Sequence, residues 1–269
     1  MEKEISQLSA LAHPQRLAIF RLLMRRFPDR LPAGEIGAVL AIRPSTLSAY
    51  LSALHGAGLI TQERRGTSLL YSVARDSAEE LISFLFHDCC RDRADLSGTD
   101  PDHAGRTGPR IRNVLFLCSG NSARSLMAES LLRQMAGDRF EVFSAGTEAR
   151  SAPHPMALDL LTTKGHDTAC LWSKPVSTLR AGDGPRMDFV FSVCDRAANA
   201  DLGNWTGHPL QGHWAVPDPV GDDAPDAFAR SYEALQNRIA RFADLPDDMP
   251  RPVLQRQIDE IALLSLAAS

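Results

Sequence analysis

The segment with the clearest chemical potential is CSGNSAR, in which five small or polar residues separate Cys118 from Arg124. A cysteine thiolate is a nucleophile, and a guanidinium binds oxyanions through paired N–H donors. Small residues between them let the backbone curl closely around an anion. The spacing therefore predicts a thiol directed at a bound oxyanion. The predicted anion-binding residues are Ser119, Gly120, Asn121, Ser122, Ala123, Arg124 and Ser125.

A strand and a helix are predicted on either side of this segment. IRNVLFL is a continuous apolar run, typical of a parallel strand buried on both faces. SLMAESLLRQMAG has helical periodicity and ends at Gly137. The segment is thus a strand-to-helix turn, where unpaired N–H groups and the helix dipole attract an anion and favour a thiolate. It is not a nucleotide P-loop, because the Gly-Lys-Ser/Thr ending is missing.

From about residue 112 to residue 264, the chain resembles the low-molecular-weight tyrosine phosphatase family and its thiol-dependent arsenate reductase branch. The resemblance implies an α/β domain with a doubly wound, four-stranded parallel sheet and the anion loop at the carboxyl ends of the strands. The motifs that carry it are CSGNSAR, FSAGT at 143–147, HPMALDLLTTKG at 154–165 and HWAVPDP at 213–219.

The same resemblance implies roles for individual residues. Cys118 is the expected nucleophile, Arg124 the anion clamp and Asp218 the general acid that protonates the departing oxygen. Asn121 and Ser125 are expected to shape the loop and support the thiolate.

Two residues separate a phosphatase from a reductase. The family's phosphatases have a tyrosine after the Asp-Pro pair, whereas Val220 follows here. Cys194, in FVFSVCDRAANADL, stands where the reductases have their second cysteine. The expected reaction is attack of Cys118 on arsenate, attack of Cys194 on the Cys118 sulfur, and release of arsenite as a disulfide forms. The alternatives are a phosphotyrosine phosphatase and a domain that only binds oxyanions.

The electron donor is left open by the sequence. The third cysteine of the thioredoxin-coupled pattern is absent from DRAANADLGNW. Either the Cys118–Cys194 disulfide is reduced directly, or a low-molecular-weight thiol makes the second attack in place of Cys194. Cys170, in DTACLW, could also serve, although nothing around it indicates more than packing. We expect no tightly bound cofactor and a thiol reductant, either glutathione with glutaredoxin, mycothiol or the thioredoxin system.

Residues 1–90 predict short helices followed by a hairpin, the order of a winged helix-turn-helix. The segments LAHPQRLAIFRLL and STLSAYLSALHGAGLI resemble the ArsR family of winged-helix repressors. That resemblance implies a homodimer that binds operator DNA and releases it when an effector binds. We expect base contacts from Ser45, Thr46 and Ser48, and phosphate contacts from Arg43, Arg64 and Arg65.

Cys89 and Cys90 are the predicted arsenite-sensing pair. The helix that precedes the predicted recognition helix has no cysteine, and soft thiolates suit As(III). No third cysteine follows nearby, so the pair would bind As(III) through two sulfurs, or would need a third ligand from the other subunit or from the second domain. Packing is the alternative role for these two side chains.

Length and composition favour two domains in a chain of 269 residues. We expect a DNA-binding and dimerisation domain over 1–90, a flexible linker over 91–110 and a reductase domain over 111–269. Residues 1–90 carry ten basic and nine acidic side chains, so the DNA prediction rests on pattern rather than charge. No apolar signal segment or run of about 20 apolar residues occurs, which predicts a soluble, cytoplasmic protein with reduced cysteines and no membrane contact.

Overall fold

The structure is a computed structural model that describes residues 1–91, 111–180, 184–203, 205, 208–222, 224 and 226–264. The chain divides into two compact units, Met1–Thr107 and Gly108–Ser269. Nearly all of the predicted linker, residues 92–110, lies outside the described residues. Within the described part of the chain, no helix is both long and apolar enough to cross a membrane.

The first unit is helical with a small antiparallel sheet. Its sheet has the strand order β1-β3-β2, and β2 and β3 form a hairpin that turns at Gly66, where φ is +59°. The elements are α1 (Glu2–Leu11), α2 (Pro14–Arg25), β1 (Leu31–Pro32), α3 (Ala33–Leu40), α4 (Pro44–Gly56), β2 (Ile60–Arg65), β3 (Ser68–Val73), α5 (Arg75–Phe84) and a π-helical turn (Leu85–Cys89).

Local sequence explains where the helices of this unit begin. The side chain of His13 caps α2 by accepting a hydrogen bond from the Gln15 amide at 3.2 Å. Proline occupies the first position of both α2 and α4, where the missing N–H costs nothing. Leu47, Leu51 and Leu54 of α4 are buried in the core of the unit, so the opposite face of that helix is exposed.

The second unit is an α/β domain with one parallel sheet of four strands. The strand order is β5-β4-β6-β7, so the chain starts in the middle of the sheet and winds both ways. The elements are β4 (Arg112–Cys118), α6 (Arg124–Ala136), β5 (Phe140–Gly146), α7 (Pro155–Thr163), α8 (Ser177–Arg180), β6 (Phe189–Ser192), α9 (Asp195–Asn199), β7 (Leu210–His213), a 3-10 turn (Pro219–Gly221), α10 (Ala227–Ala243) and α11 (Arg251–Ala262).

Aromatic packing holds the central strands of this sheet. Phe116 of β4 stacks on Phe191 of β6, which stacks on Trp214 at a centroid distance of 4.0 Å. All three side chains are fully buried. Tight packing of this kind holds β4 and β6 in register, and it thereby positions the residues that follow each strand. The predicted doubly wound four-stranded sheet is confirmed.

Candidate functional site

The carboxyl ends of β4 and β6 bring two cysteines to the same edge of the sheet. These strands are parallel neighbours, and Leu117 pairs with Ser192. Cys118 and Cys194 follow that pair, one residue and two residues later. Parallel sheets bind ligands at this edge, where the strand order changes direction.

The turn between β4 and α6 directs its carbonyl groups away from its centre. Four of its carbonyl oxygens accept hydrogen bonds from the segment 147–154 that follows β5. With these carbonyls bound by a neighbouring segment, loop amides can face a bound anion, apart from the Asn121 amide, which donates to Sγ of Cys118. The bonds are Thr147 to Cys118, Glu148 to Ser119, Arg150 to Gly120 and His154 to Ser122, with N···O distances of 2.8 to 3.1 Å.

The Cys118 sulfur lies at the base of this loop and is 2% exposed as a residue. Its Sγ lies 2.9 Å from Oγ of Ser125 and accepts a hydrogen bond from the Asn121 amide at 3.1 Å. Ser125 is the second residue of α6, so the thiol also faces the positive end of that helix. The sulfur is therefore held in place by the loop backbone and the first turn of α6.

Asn121 holds the loop in shape. It adopts a left-handed conformation with φ of +45°, which asparagine tolerates better than most residues. Its fully buried side chain donates to Oγ of Ser125 at 2.9 Å and to Oγ of Ser144 at 2.8 Å, and accepts from the Lys174 amide at 2.8 Å. The loop is thereby tied to β5 and to the segment before α8.

A buried charged cluster behind the loop was not predicted from the sequence. Glu129 on α6 is 3% exposed and accepts hydrogen bonds from Ser144 and Arg133, each at 2.5 Å. Nζ of Lys174 lies 3.8 Å from the same carboxylate. Burial lowers the pKa of Lys174, and the attraction of Glu129 opposes that shift. The cluster therefore fixes Ser144, which in turn positions Asn121.

Arg124 and Asp218 lie together at the opening of the loop. Nη2 of Arg124 donates to Oδ2 of Asp218 at 2.7 Å, and Nη1 donates to the Val216 carbonyl at 3.1 Å. The arginine is largely buried, whereas the Asp218 side chain is half exposed. The structure thus brings both predicted residues to the loop that holds Cys118.

Cys194 is buried at the start of α9, where its Sγ accepts a hydrogen bond from the Ala197 amide at 3.4 Å. Burial raises the pKa of its thiol, and the charge of Arg124 opposes that shift. The charge of Cys118 also acts on this thiol, in the raising direction. Cys194 is therefore within electrostatic range of both the predicted nucleophile and the predicted anion clamp.

The remaining predicted residues belong to other elements of the chain. Cys170 is exposed and accepts a hydrogen bond from Arg133 at 3.0 Å. In the first unit, Cys89 is exposed at the end of the π-helical turn and Cys90 follows it, partly buried. The residues predicted to contact DNA are exposed or partly buried on α4 and the β2–β3 hairpin: Arg43, Ser45, Thr46, Ser48, Arg64 and Arg65.

Several known proteins are similar to part of this chain. Residues 113–250 match the low molecular weight phosphotyrosine protein phosphatase family. The chain is 32% identical to an arsenate reductase of Bacillus anthracis over 133 residues, which is 49% of this chain and 95% of that protein. It is 31% identical to an arsenate reductase of Brevibacillus brevis, with the same two shares covered. A solved arsenate reductase from Archaeoglobus fulgidus is 26% identical, with a TM-score of 0.42, over 49% of this chain and 99% of that one.

Proposed function

Because this chain belongs to the low molecular weight phosphotyrosine protein phosphatase family, we propose that its second unit reduces arsenate to arsenite with its own thiols. The observation that carries this proposal is the position of Cys118 and Cys194 at the carboxyl ends of neighbouring parallel strands. A phosphatase needs one nucleophilic thiol, whereas a two-electron reduction needs a second sulfur to be oxidised. The likeness to arsenate reductases over almost their whole length supports the same choice.

In the first step Cys118 attacks the arsenic of arsenate held by the loop amides and Arg124. A sulfur–arsenic bond forms and an arsenic–oxygen bond breaks. The departing hydroxyl group takes a proton from the Asp218 carboxyl group and leaves as water. The arrangement suits this step because Arg124 contacts both the loop and Asp218. Fixed amides and a guanidinium stabilise the charge that develops on the oxyanion in the transition state.

In the second step the Cys194 sulfur attacks the Cys118 sulfur. A disulfide forms, the sulfur–arsenic bond breaks, and its electron pair remains on arsenic, which leaves as arsenite after protonation. Two thiols are oxidised and As(V) is reduced to As(III), so the electrons balance. Burial disfavours the Cys194 thiolate, and the nearby positive charge of Arg124 offsets part of that cost.

Hydrolysis of aryl phosphates is the alternative activity for the same loop. Val220, which is 40% exposed, follows the Asp218–Pro219 pair and provides no aromatic wall for a tyrosyl ring. The experiment that separates the two activities is an assay of the full chain for arsenite with thioredoxin and with glutathione–glutaredoxin, next to aryl phosphate hydrolysis. Brisk hydrolysis with no arsenite from either system would reject the reductase.

We further propose that the first unit is a winged-helix repressor that binds operator DNA as a homodimer. Its exposed face of α4 begins at Pro44, and the tip of its hairpin carries Arg64 and Arg65. A helix of this size fits the major groove, and a basic hairpin tip fits the neighbouring phosphates. In such a fusion the second unit would produce arsenite, the proposed effector, in the same chain as the unit that senses it.

We propose that Cys89 and Cys90 are the arsenite-sensing residues of this unit. The two sulfurs are adjacent in sequence and at least one is exposed, which suits capture of a soft ion. The test is release of operator DNA by arsenite from the Cys89→Ser, Cys90→Ser double variant. Undiminished release would reject sensing by this pair, whereas Cys170→Ser serves as the control for loss of an exposed thiol.

A further inference from the structure

Arg150 lies beside the anion loop and is fixed there at two points. Its amide donates to the Gly120 carbonyl at 2.8 Å. Its side chain lies against Gly120, since a Cβ added to that glycine would lie 3.2 Å from Cγ and 3.6 Å from Nε of Arg150. Arg150 is nevertheless exposed to solvent. A guanidinium is therefore available at the rim of the loop.

The positive charge of Arg150 is not matched by the carboxylates around it. Glu148, two residues earlier, pairs with Arg196 at 2.5 Å. Asp218 pairs with Arg124 at 2.7 Å. Among the residues that the structure describes, the Arg150 guanidinium has no hydrogen-bond or ion-pair partner. Within the described part of the chain, the Arg150 guanidinium at the rim is thus available to an incoming anion.

The thiols of the site cannot recycle themselves. A Cys118–Cys194 disulfide would be formed by residues that are 2% and 3% exposed. The disulfide would contain both thiols of the site, so the two electrons that reopen it have to be supplied by another thiol. The thiol that reopens the disulfide must therefore come from outside, and its sulfur must enter at the loop that Arg150 borders.

We propose that Arg150 binds the carboxylate of a small-molecule thiol, a chemical class that includes glutathione, and directs its sulfur to Cys118. The inference rests on the disulfide chemistry of the proposed function. The incoming thiolate bonds to the Cys118 sulfur, the bond to Cys194 breaks, and Cys194 leaves as a thiolate that takes up a proton. A second small thiolate then attacks the mixed disulfide, which frees Cys118 and yields the oxidised small molecule. Two electrons from two small thiols restore both protein thiols.

The test measures attack on Cys118 without arsenic. In the full chain, the other four cysteines are changed to serine, and Cys118 is loaded as its 2-thiopyridyl disulfide. Release of thiopyridone is followed with 3-mercaptopropionate, which carries a carboxylate, and with 2-mercaptoethanol, which does not. Arg150→Ala should slow the reaction with mercaptopropionate by about three- to fivefold, the upper range for an exposed ion pair, and leave mercaptoethanol unchanged.

Two further variants test the role of charge. Arg150→Lys should keep most of the preference for mercaptopropionate, and added salt should abolish the preference in the parent chain. Arg256→Ala, which removes an exposed arginine from α11, should behave like the parent.

Three results would overturn the proposal. The first is an equal effect of Arg150→Ala on the reaction rates with both thiols, and the second is no effect on either rate. The third is a thiol preference that Arg150→Ala leaves unchanged, together with weaker binding of inorganic phosphate to that variant. The last result would assign Arg150 to the oxyanion. Because the thiopyridone assay contains no arsenic, it measures thiol selection by Arg150 even in a chain that makes no arsenite, so failure of the reductase and failure of the Arg150 proposal are distinguishable.

Discussion

Arg124 and Asp218 form an ion pair of 2.7 Å across 94 positions of the chain. Arg124 is the proposed anion clamp and Asp218 the proposed general acid, so the two side chains bind one another before substrate binds. A guanidinium has a planar fork of donors, and the donor that points at Asp218 is one that an oxyanion would use. Substrate binding must therefore compete with the carboxylate for Arg124.

Substitution of Asp218 by asparagine separates these two roles. Asp218→Asn removes the carboxylate that competes for Arg124, and with it the group that would carry a proton to the leaving oxygen. Phosphate should therefore bind at least as tightly, while arsenite production falls by roughly 100-fold. Calorimetry with phosphate and a steady-state assay of arsenite measure the two effects. Asp222→Asn, on a neighbouring exposed carboxylate that pairs with Arg230, should change neither quantity. Arsenite production at the parent rate in Asp218→Asn would show that Asp218 donates no proton.

Because the Cys194 thiol is buried, we expect a single-turnover burst of arsenite whose rate depends on pH. Mixed with arsenate and no added thiol, the parent chain should release up to one arsenite per chain, and Cys194→Ser should release none. Burial raises the pKa of Cys194, so its thiolate fraction, and with it the burst rate, should rise steeply between about pH 7 and pH 9.

Rapid quenching followed by arsenite analysis measures that burst at saturating arsenate. Cys170→Ser should retain it in full, because Cys170 lies outside the site and contacts Arg133. A burst rate that stays flat over this pH range would contradict attack by a thiol of raised pKa.

The sequence predicted the loop of Cys118 because its information is local. A buried strand, the anion loop and a helix follow one another directly, and the backbone of a strand-to-helix turn places them without help from distant residues. The doubly wound, four-stranded parallel sheet was also predicted, though from resemblance rather than from spacing. The pairing of Arg124 with Asp218 was not predicted, since nothing in the local pattern joins residues so far apart.

The support behind the loop was beyond the reach of sequence patterns for the same reason. Glu129 occupies one position of an apolar helix, where a carboxylate is ordinarily assigned to the solvent side. It is buried because Ser144, Arg133 and Lys174 converge on it. Arg150 was missed because its contact with Gly120 needs the two loops to run side by side.

Asn121 combines an unusual backbone conformation with a buried hydrogen-bond network, and two variants distinguish these contributions. Asn121→Gly keeps the left-handed φ accessible and removes the side-chain bonds, whereas Asn121→Ala loses both. Unpaired buried groups cost about 1–3 kcal/mol, and the alanine adds about 1 kcal/mol of backbone strain. Urea unfolding followed by tryptophan fluorescence, which reports the second unit, measures both losses. Greater stability of the alanine variant would contradict the strain at this position.

The arginines of the hairpin predict a salt signature in DNA binding. Arg64→Ala and Arg65→Ala should each weaken binding to all sequences about equally and reduce the slope of log affinity against log salt by about one. Arg65 donates to Glu63 at 3.1 Å, so Glu63→Gln should free that guanidinium and tighten binding. Fluorescence anisotropy with operator and random duplexes at several salt concentrations measures these changes. An unaltered slope in both arginine variants would show that the hairpin does not contact DNA phosphates. Arg256→Ala is the control.

His166 predicts how acid destabilises the second unit. It is 7% exposed, with Nδ1 at 3.0 Å from Oγ of Ser130 and Nε2 at 2.8 Å from the hydroxyl of Tyr232. Burial lowers the pKa of this imidazole, which is ordinarily about 6.5. Below that pH the His166 imidazole is protonated in the unfolded chain but stays neutral in the folded unit. The free energy of unfolding should therefore fall by up to about 1.4 kcal/mol for each unit by which the pH is lowered.

The His166→Gln variant should show a shallower loss of stability between pH 7 and pH 5, because it removes the group whose protonation drives that loss. It should also be less stable at pH 7, by about 1–3 kcal/mol, since glutamine cannot bridge the two hydroxyls in the same way. Tryptophan fluorescence in urea at several pH values measures both effects, and all three tryptophans of the chain, Trp172, Trp205 and Trp214, lie in the second unit. His208→Asn, at an exposed position of left-handed backbone, should keep the parent's slope. Equal slopes in the parent and in His166→Gln would show that acid acts through other groups.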